Sequence, residues 1–466
     1  MGKKLDRNSK KSREPEQCSI ALSTLRSMPY MHLLEMPELV EQVAPAGSVM
    51  CVAKTCRRAR WLLGNARAFV AVRGRRGFAF ASGADVGRSL ARLSAAYTVR
   101  RLELPRMALG DPAGTALAAA LGASGSLWAR ELWSLELSGN ALGDAAGSAL
   151  AAALRANSAL RSLGLSDNGL GGPAGLALAA ALRVNCSLQS LDLADNVLDA
   201  GGGQALALAL VVNSTLASLS VAENRTLCAF GDAVCANSSL QSLDLRASHL
   251  RAAGVSLLGA ALRVNSALRS LDLSGNMLGD TPAIARLVRA CSLSALKLCG
   301  VGMHAEGALA LADALLSNSS LLELQLSRNR LQGGRGAVGA RFRDVLVANS
   351  SLDALDLGWN ALPCEDIVAL AGGLRHLRTL RLSGNLLGEP GARSLGRALA
   401  ANCSLRALYL DHCGIEAAGG SEIASALRDN SLLQELDLSA NGALGRTMFT
   451  VALQGNRALQ TLRLEG

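Results

Sequence analysis

Residues 160–170 read Leu160-Arg-Ser-Leu163-Gly-Leu165-Ser-Asp-Asn168-Gly-Leu170, and residues 171–185 continue GGPAGLALAAALRVN. Leu163 and Leu165 are two apart, which puts both on one face of a short strand, and Asn168 follows where the chain leaves it. A glycine-rich turn comes next, and then alanines and leucines recur at helical spacing. The unit is therefore strand, turn, helix and return. The phrase Leu-x-x-Leu-x-Leu starts again at Val99, Leu132, Leu160, Leu188, Leu216, Leu240, Leu268, Leu293, Leu321, Leu352, Leu377, Leu405, Leu433 and Leu459, most often 28 residues apart.

One such unit cannot bury its apolar faces alone, whereas stacked units share a continuous core. The pattern resembles the leucine-rich repeat family, and within it the ribonuclease-inhibitor-like class, over residues 99–466. The resemblance implies an α/β solenoid, a right-handed horseshoe of about fourteen strand phrases. It also implies a ladder in which the turn asparagine bonds backbone groups between repeats. That position holds Asn at 140, 168, 196, 224, 276, 329, 360, 385 and 441, and Cys413. It departs at Met107, Ser248 and Val301, where looser repeats are expected. Units of 33 residues before Leu132 and 31 before Leu352 should bulge as loops, one holding Trp128 and the other Gly333 to Gly339. Units of 24 or 25 before Leu240, Leu293 and Leu377 should shorten the outer helix. The last phrase, at Leu459, has no helix after it, so a partner or further chain is expected to cover that edge.

Parallel strands about 4.8 Å apart give fourteen strands an inner arc of roughly 65 Å. Between the second and third leucines stand Glu103, Glu136, Gly164, Asp192, Ser220, Asp244, Asp272, Lys297, Gln325, Asp356, Arg381, Tyr409, Asp437 and Arg463, an acidic stripe that turns mixed late. Large interaction-prone residues gather in the late repeats: Arg328, Trp359, Arg381, Tyr409, Asp411 and His412. Tryptophan, tyrosine and arginine dominate interface hot spots, so these six form the candidate partner-binding site. The expected function is a non-enzymatic scaffold that holds a protein partner on its concave face.

The remaining chemistry is sparse. The five histidines show no metal spacing and no nucleophile partner, so no metal, cofactor or catalytic residue is expected. Gly201-Gly202-Gly203 lacks the following Lys-Ser/Thr of a phosphate loop, and Lys54-Thr55 lacks its glycine. The eleven cysteines include no Cys-x-x-Cys and read as buried thiols of a reducing compartment. Asn-x-Ser/Thr matches at Asn185, Asn213, Asn224, Asn237, Asn318, Asn349 and Asn402 read as repeat positions, not glycosylation sites. No signal peptide or membrane span is seen, and a cytoplasmic location is expected, with the basic tail a weaker hint of nuclear import.

Residues 1–106 carry 20 Lys plus Arg against 8 Asp plus Glu, a net of +12, while the rest carries 27 against 29, a net of −2. Residues 1–28 read as a disordered basic tail. Residues 29–98 read as a helical region leading into the cap, with a basic patch of Arg57, Arg58, Arg60, Arg73, Arg75 and Arg76. Such a patch suits anionic partners, but Arg76-Gly-Phe-Ala-Phe80 departs from the RNA-recognition motif and reads as a hairpin or first-repeat strand, so nucleic acid is not the expected partner. Residues 33–63, with Leu33-Leu-Glu-Met-Pro37-Glu-Leu and Cys56-Arg-Arg-Ala-Arg-Trp61, resemble an F-box, although the tryptophan lies two residues late. That resemblance implies docking on the Skp-family adaptor of a cullin ubiquitin ligase. A third alternative is regulation of a small GTPase, since the Ran GTPase-activating protein is built from similar repeats. The acidic C-terminal tail of that family has no counterpart in this sequence.

Overall fold

A computed structural model describes residues 69–73, 98–123, 126–226, 230–442 and 444–464. These form one parallel sheet of fifteen strands in sequence order. β1 (Phe69–Arg73) and β2 (Thr98–Glu103) lead it. Thirteen three-residue strands follow, from β3 (Ser134–Glu136) and β4 (Ser162–Gly164) to β15 (Thr461–Arg463). The middle leucine of each short strand pairs with that of the next, as Leu163 with Leu191. Purely sequential order follows from the repeat, because from β3 onward each strand is joined to the next by one helix crossing over its own repeat.

The core is a stack of leucines. Leu163, Leu165, Leu170 and Leu178 are all buried to within 1%, so the phrase quoted above packs as its spacing demands. Strands stack about 4.8 Å apart but helices need about 8–10 Å, so the layer of helices must lie on the outside of a bend. Small residues let adjacent helices approach as closely as possible. A β-carbon on Gly147 would lie 2.7 Å from that of Ala174, and one on Gly175 would lie 3.0 Å from the Cα of Gly202. Gly201-Gly202-Gly203 is thus part of the helix Ala200–Val212, capped by Asp199 accepting from the Gly202 amide, and serves packing.

The turn asparagines form the expected ladder. Asn196 Nδ2 donates to Leu165 O and Leu193 O, both at 3.0 Å, and its Oδ1 accepts from Leu170 N at 3.0 Å. Cys413 Sγ donates to Leu382 O at 3.3 Å in the same place. The departures lose less than expected. Ser248 Oγ donates to Val221 O at 3.2 Å, and near Val301 the Leu273 carbonyl still receives Asn276 Nδ2 at 2.9 Å. Each carbonyl of the ladder is within reach of two asparagines, its own and the next, so one gap does not orphan it.

A second ladder runs along the helix exits. Asn185 Nδ2 donates to Leu154 O and Asn157 O, while its Oδ1 accepts from Ser187 N and Leu188 N. Asn213, Asn237, Asn318 and Asn349 repeat this geometry, as do Asn157, Asn265, Asn430 and Asn456, which lack the glycosylation pattern.

The short units have short helices, with Phe230–Ala236, Pro282–Ala290 and Cys364–Ala371 at 7, 9 and 8 residues against 13 in Asp144–Ala156. Three expectations need correction. The insertion before Leu132 makes a further helix, Leu127–Glu131, instead of a loop. Gly339 is not in a loop either but inside the helix Ala337–Ala348. β1 lies within 29–98, the stretch read as helical, and pairs in parallel with β2 across a bulge. Phe69-Val-Ala-Val-Arg73, rich in β-branched and aromatic residues, suits a strand, and the absence of the leucine phrase concealed it. The cysteines are corrected as well. Cys291 and Cys413 are buried, but Cys186, Cys235 and Cys403 are exposed. Cys186 and Cys403 occupy the outward position after a helix-exit asparagine, where any small side chain fits.

Candidate functional site

The residue before each ladder asparagine adopts the left-handed conformation. Counting Met107, Ser248, Val301 and Cys413 as ladder positions, the residue before is glycine at Gly139, Gly275, Gly300 and Gly384, and a smaller or charged residue at Arg106, Asp167, Asp195, Glu223, Ala247 and Ala440. It is a large late one at Arg328 (φ +59°), Trp359 (+56°) and His412 (+56°). They therefore sit on the same shoulder of successive turns, just beyond the strands. The strand positions come into one row: register pairs Asp356 of β11 (Ala354–Asp356) with Arg381 of β12 (Thr379–Arg381). Arg381 in turn pairs with Tyr409 of β13 (Ala407–Tyr409), and Tyr409 with Asp437 of β14 (Glu435–Asp437).

Two contacts bring the predicted residues together. The Trp359 and His412 rings lie 5.3 Å apart at 47°, reaching across Gly384. A β-carbon at Gly384 would run into the indole, so glycine there both permits the backbone and seats the ring. Arg381 Cζ sits 3.8 Å from the centroid of the Tyr409 ring, a cation–π contact. Asp411 stands beside the first pair, accepting from the Ser383 hydroxyl and lying 3.3 Å from His412 Nδ1. Arg328 stands apart, exposed one repeat earlier, with no side-chain hydrogen bond or ion pair to a described residue. Trp359 remains 47% exposed, so the cluster is open to solvent.

Neighbours that the sequence reading left out complete the surface. Tyr409 donates to Glu435 Oε2 at 2.7 Å, and Arg463 reaches both Glu435 at 3.4 Å and Asp437 at 3.2 Å. Burial, followed by this hydrogen bond to Glu435, raises the Tyr409 phenol above its ordinary range. Burial likewise raises Asp356, against the Gly358 amide and Arg381, which favour its charged form. Asp437 is lowered: burial pushes it up, but hydrogen bonds from the Ser439 hydroxyl and amide and from Arg463 more than offset that. The acidic stripe is partly structural. Asp192, Asp244, Asp272, Asp356 and Asp437 each accept from the amide two residues on, at 2.9–3.0 Å, pinning the strand-to-turn bend. An acid two residues ahead of the bend is the signal by which this role could have been read.

The basic patch and the F-box-like phrase lie outside the described residues. The exception is Arg73, whose backbone ends β1 opposite Glu103. Among the described residues no group of His, Cys, Asp or Glu is placed to hold a metal ion, and no helix is long and apolar enough to cross a membrane.

Comparison with known proteins agrees with this geometry. Residues 132–151, 184–207, 264–285, 373–396 and 401–424 match the Leucine Rich repeat family. Ribonuclease inhibitor of Sus scrofa is 33% identical over 158 residues, 33% of this chain and 34% of that protein. NACHT, LRR and PYD domains-containing protein 12 of Homo sapiens is 34% identical over 182 residues, 37% of this chain and 17% of that one. The chain thus spans about a third or less of the length of these curated relatives. An internalin from Listeria monocytogenes aligns with 75% of this chain and 93% of its own, at 16% identity and a TM-score of 0.44.

Proposed function

We propose, from the premise that the chain is a leucine-rich repeat protein with repeats like those of ribonuclease inhibitor, that it is a non-enzymatic scaffold binding another protein. The contact is centred on Trp359, Arg381, Tyr409, Asp411 and His412, with Arg328 at its margin. One observation carries this reading: a tryptophan, half in water, holds a left-handed backbone position that the other repeats fill with glycine, alanine or a polar residue. That conformation costs an L-residue roughly 1–2 kcal/mol, and an exposed indole recovers little of it by burial. Stability does not account for a tryptophan here, whereas an aromatic anchor for a partner does. Free thiols throughout the described residues suit a reducing compartment, and we place the protein in the cytoplasm.

The test is affinity capture with bound proteins identified by mass spectrometry, comparing wild type with a Trp359→Ala, Arg381→Ala, Tyr409→Ala variant. The variant should lose the partner while melting normally, and retention of every partner would reject this site. A second reading rests on the F-box-like phrase of residues 33–63: a Skp-family adaptor docks there, and the repeats select a substrate. Adaptor peptides should then be captured by the full chain and vanish on Pro37→Ala with Leu39→Ala. An adaptor that never co-purifies counts against it.

A further inference from the structure

The early repeats hold a second surface of different chemistry. The helix Leu127–Glu131, made by the 33-residue unit, stands beside the entries of β2, β3 and β4. Between them lies a shallow cleft of about 510 Å³ lined by Arg100, Arg130, Glu131, Trp133, Ser158 and Arg161. That volume is within the roughly 300–1,000 Å³ of ligand clefts. Backbone bonds fix three of these residues on successive rungs: Trp133 N donates to Arg100 O at 2.9 Å, and Arg161 N donates to Trp133 O at 2.7 Å. Trp133 is 45% exposed. Arg130 and Arg161 are exposed and make no side-chain hydrogen bond or ion pair with a described residue. Some arginines elsewhere meet carboxylates, as Arg246, Arg341, Arg393 and Arg463 do, and others such as Arg328 meet none among the described residues; what sets this pair apart is the indole and cleft they share.

An indole and two cations without counter-ions among the described residues, converging on one cleft, fit a ligand that brings negative charge together with an apolar group. We propose that this cleft binds an acidic peptide segment of another protein. Its carboxylates pair with Arg130 and Arg161, and one of its apolar side chains lies on Trp133. A single-stranded nucleic acid fits less well. It needs a continuing track of cations for its phosphates, whereas the next rungs are Gln189, Ala217 and Gln241. A peptide backbone is neutral and needs only the few charges present. This surface is independent of the cluster at Trp359.

The probe is a fluorescein-labelled peptide alternating glutamate with phenylalanine, titrated into the full chain by fluorescence polarisation at low and at physiological salt. Saturable binding that weakens with salt is expected. Trp133→Ala, and separately Arg130→Gln with Arg161→Gln, should each weaken it about tenfold or more, while Trp359→Ala leaves it unchanged. Thermal melts of each variant distinguish loss of the site from loss of the fold, and the glutamine pair removes only exposed charge. The proposal is overturned if binding does not saturate, if the folded variants bind as wild type does, or if labelled oligothymidylate binds the same cleft more tightly than the peptide.

Discussion

Replacing Trp359 with glycine would remove a half-exposed indole and relieve a left-handed backbone at φ +56°. Glycine loses more entropy on folding than other residues, but here the native conformation favours it. The Trp359→Gly melting temperature should therefore equal or exceed that of wild type, by thermal unfolding followed with circular dichroism, and a marked drop would mean that the ring is a structural member. Asp272 poses an electrostatic version of the same question. Burial raises its carboxyl above the ordinary range, more than the Ser274 hydrogen bonds and Arg246 lower it. A carboxyl raised in the fold contributes its stability below the unfolded value of about 3.9, and that contribution is lost as pH rises through the folded value. At neutral pH the charge is thus a cost. Asp272→Asn keeps an oxygen for the Ser274 amide and removes the charge, so it should raise the melting temperature at pH 7 and leave it unchanged near pH 3. An equal gain at both pH values would assign the effect to something other than ionisation.

In the asparagine ladder, two neighbouring side chains share a carbonyl. Leu165 O accepts from both Asn168 Nδ2 and Asn196 Nδ2 at 3.0 Å. Asn196→Ala should destabilise by about 1–3 kcal/mol, and adding Asn168→Ala should cost more than the sum of the singles, because only the double variant strips that carbonyl. A double-mutant cycle in urea that gives pure additivity would contradict the sharing. The helix-exit ladder makes a separate prediction. Both Nδ2 hydrogens of Asn185 and Asn213 are donated to backbone carbonyls. Folded protein offered to oligosaccharyltransferase should carry no glycan at these sites, read as the absence of an endoglycosidase-sensitive mass shift. Much of this level was legible in sequence, because the leucine phrase fixes strand register and the distance between phrases fixes helix length. Less legible was whatever depends on contact between repeats. Phe69-Val-Ala-Val-Arg73 extends the sheet without the phrase, and Cys186 and Cys403 look like core cysteines until the asparagine beside each is seen to take the inward position. The pairings of Trp359 with His412 and of Arg381 with Tyr409 needed the register that only stacking supplies. The aspartates of the acidic stripe read as free charge until their turn-amide bonds are seen.

Along the stacked repeats, the surface changes character from one end to the other, and that change carries the functional argument. Early strands present Trp133 beside exposed arginines, middle strands present aspartates occupied by their own turns, and late strands present an aromatic and charged cluster open to solvent. A solenoid lets such patches evolve separately, since each repeat packs only against its neighbours, so ligands at the two ends need not compete. The central claim is that a protein partner covers the turn and strand residues of β11 to β13. Hydrogen–deuterium exchange on the captured complex, compared with the free chain, tests it most directly. The account predicts slowed exchange across residues 354–360, 379–385 and 407–413, with the outer helices of the same repeats unchanged. Unaltered exchange in all three segments, with protection confined to the helices, would contradict it.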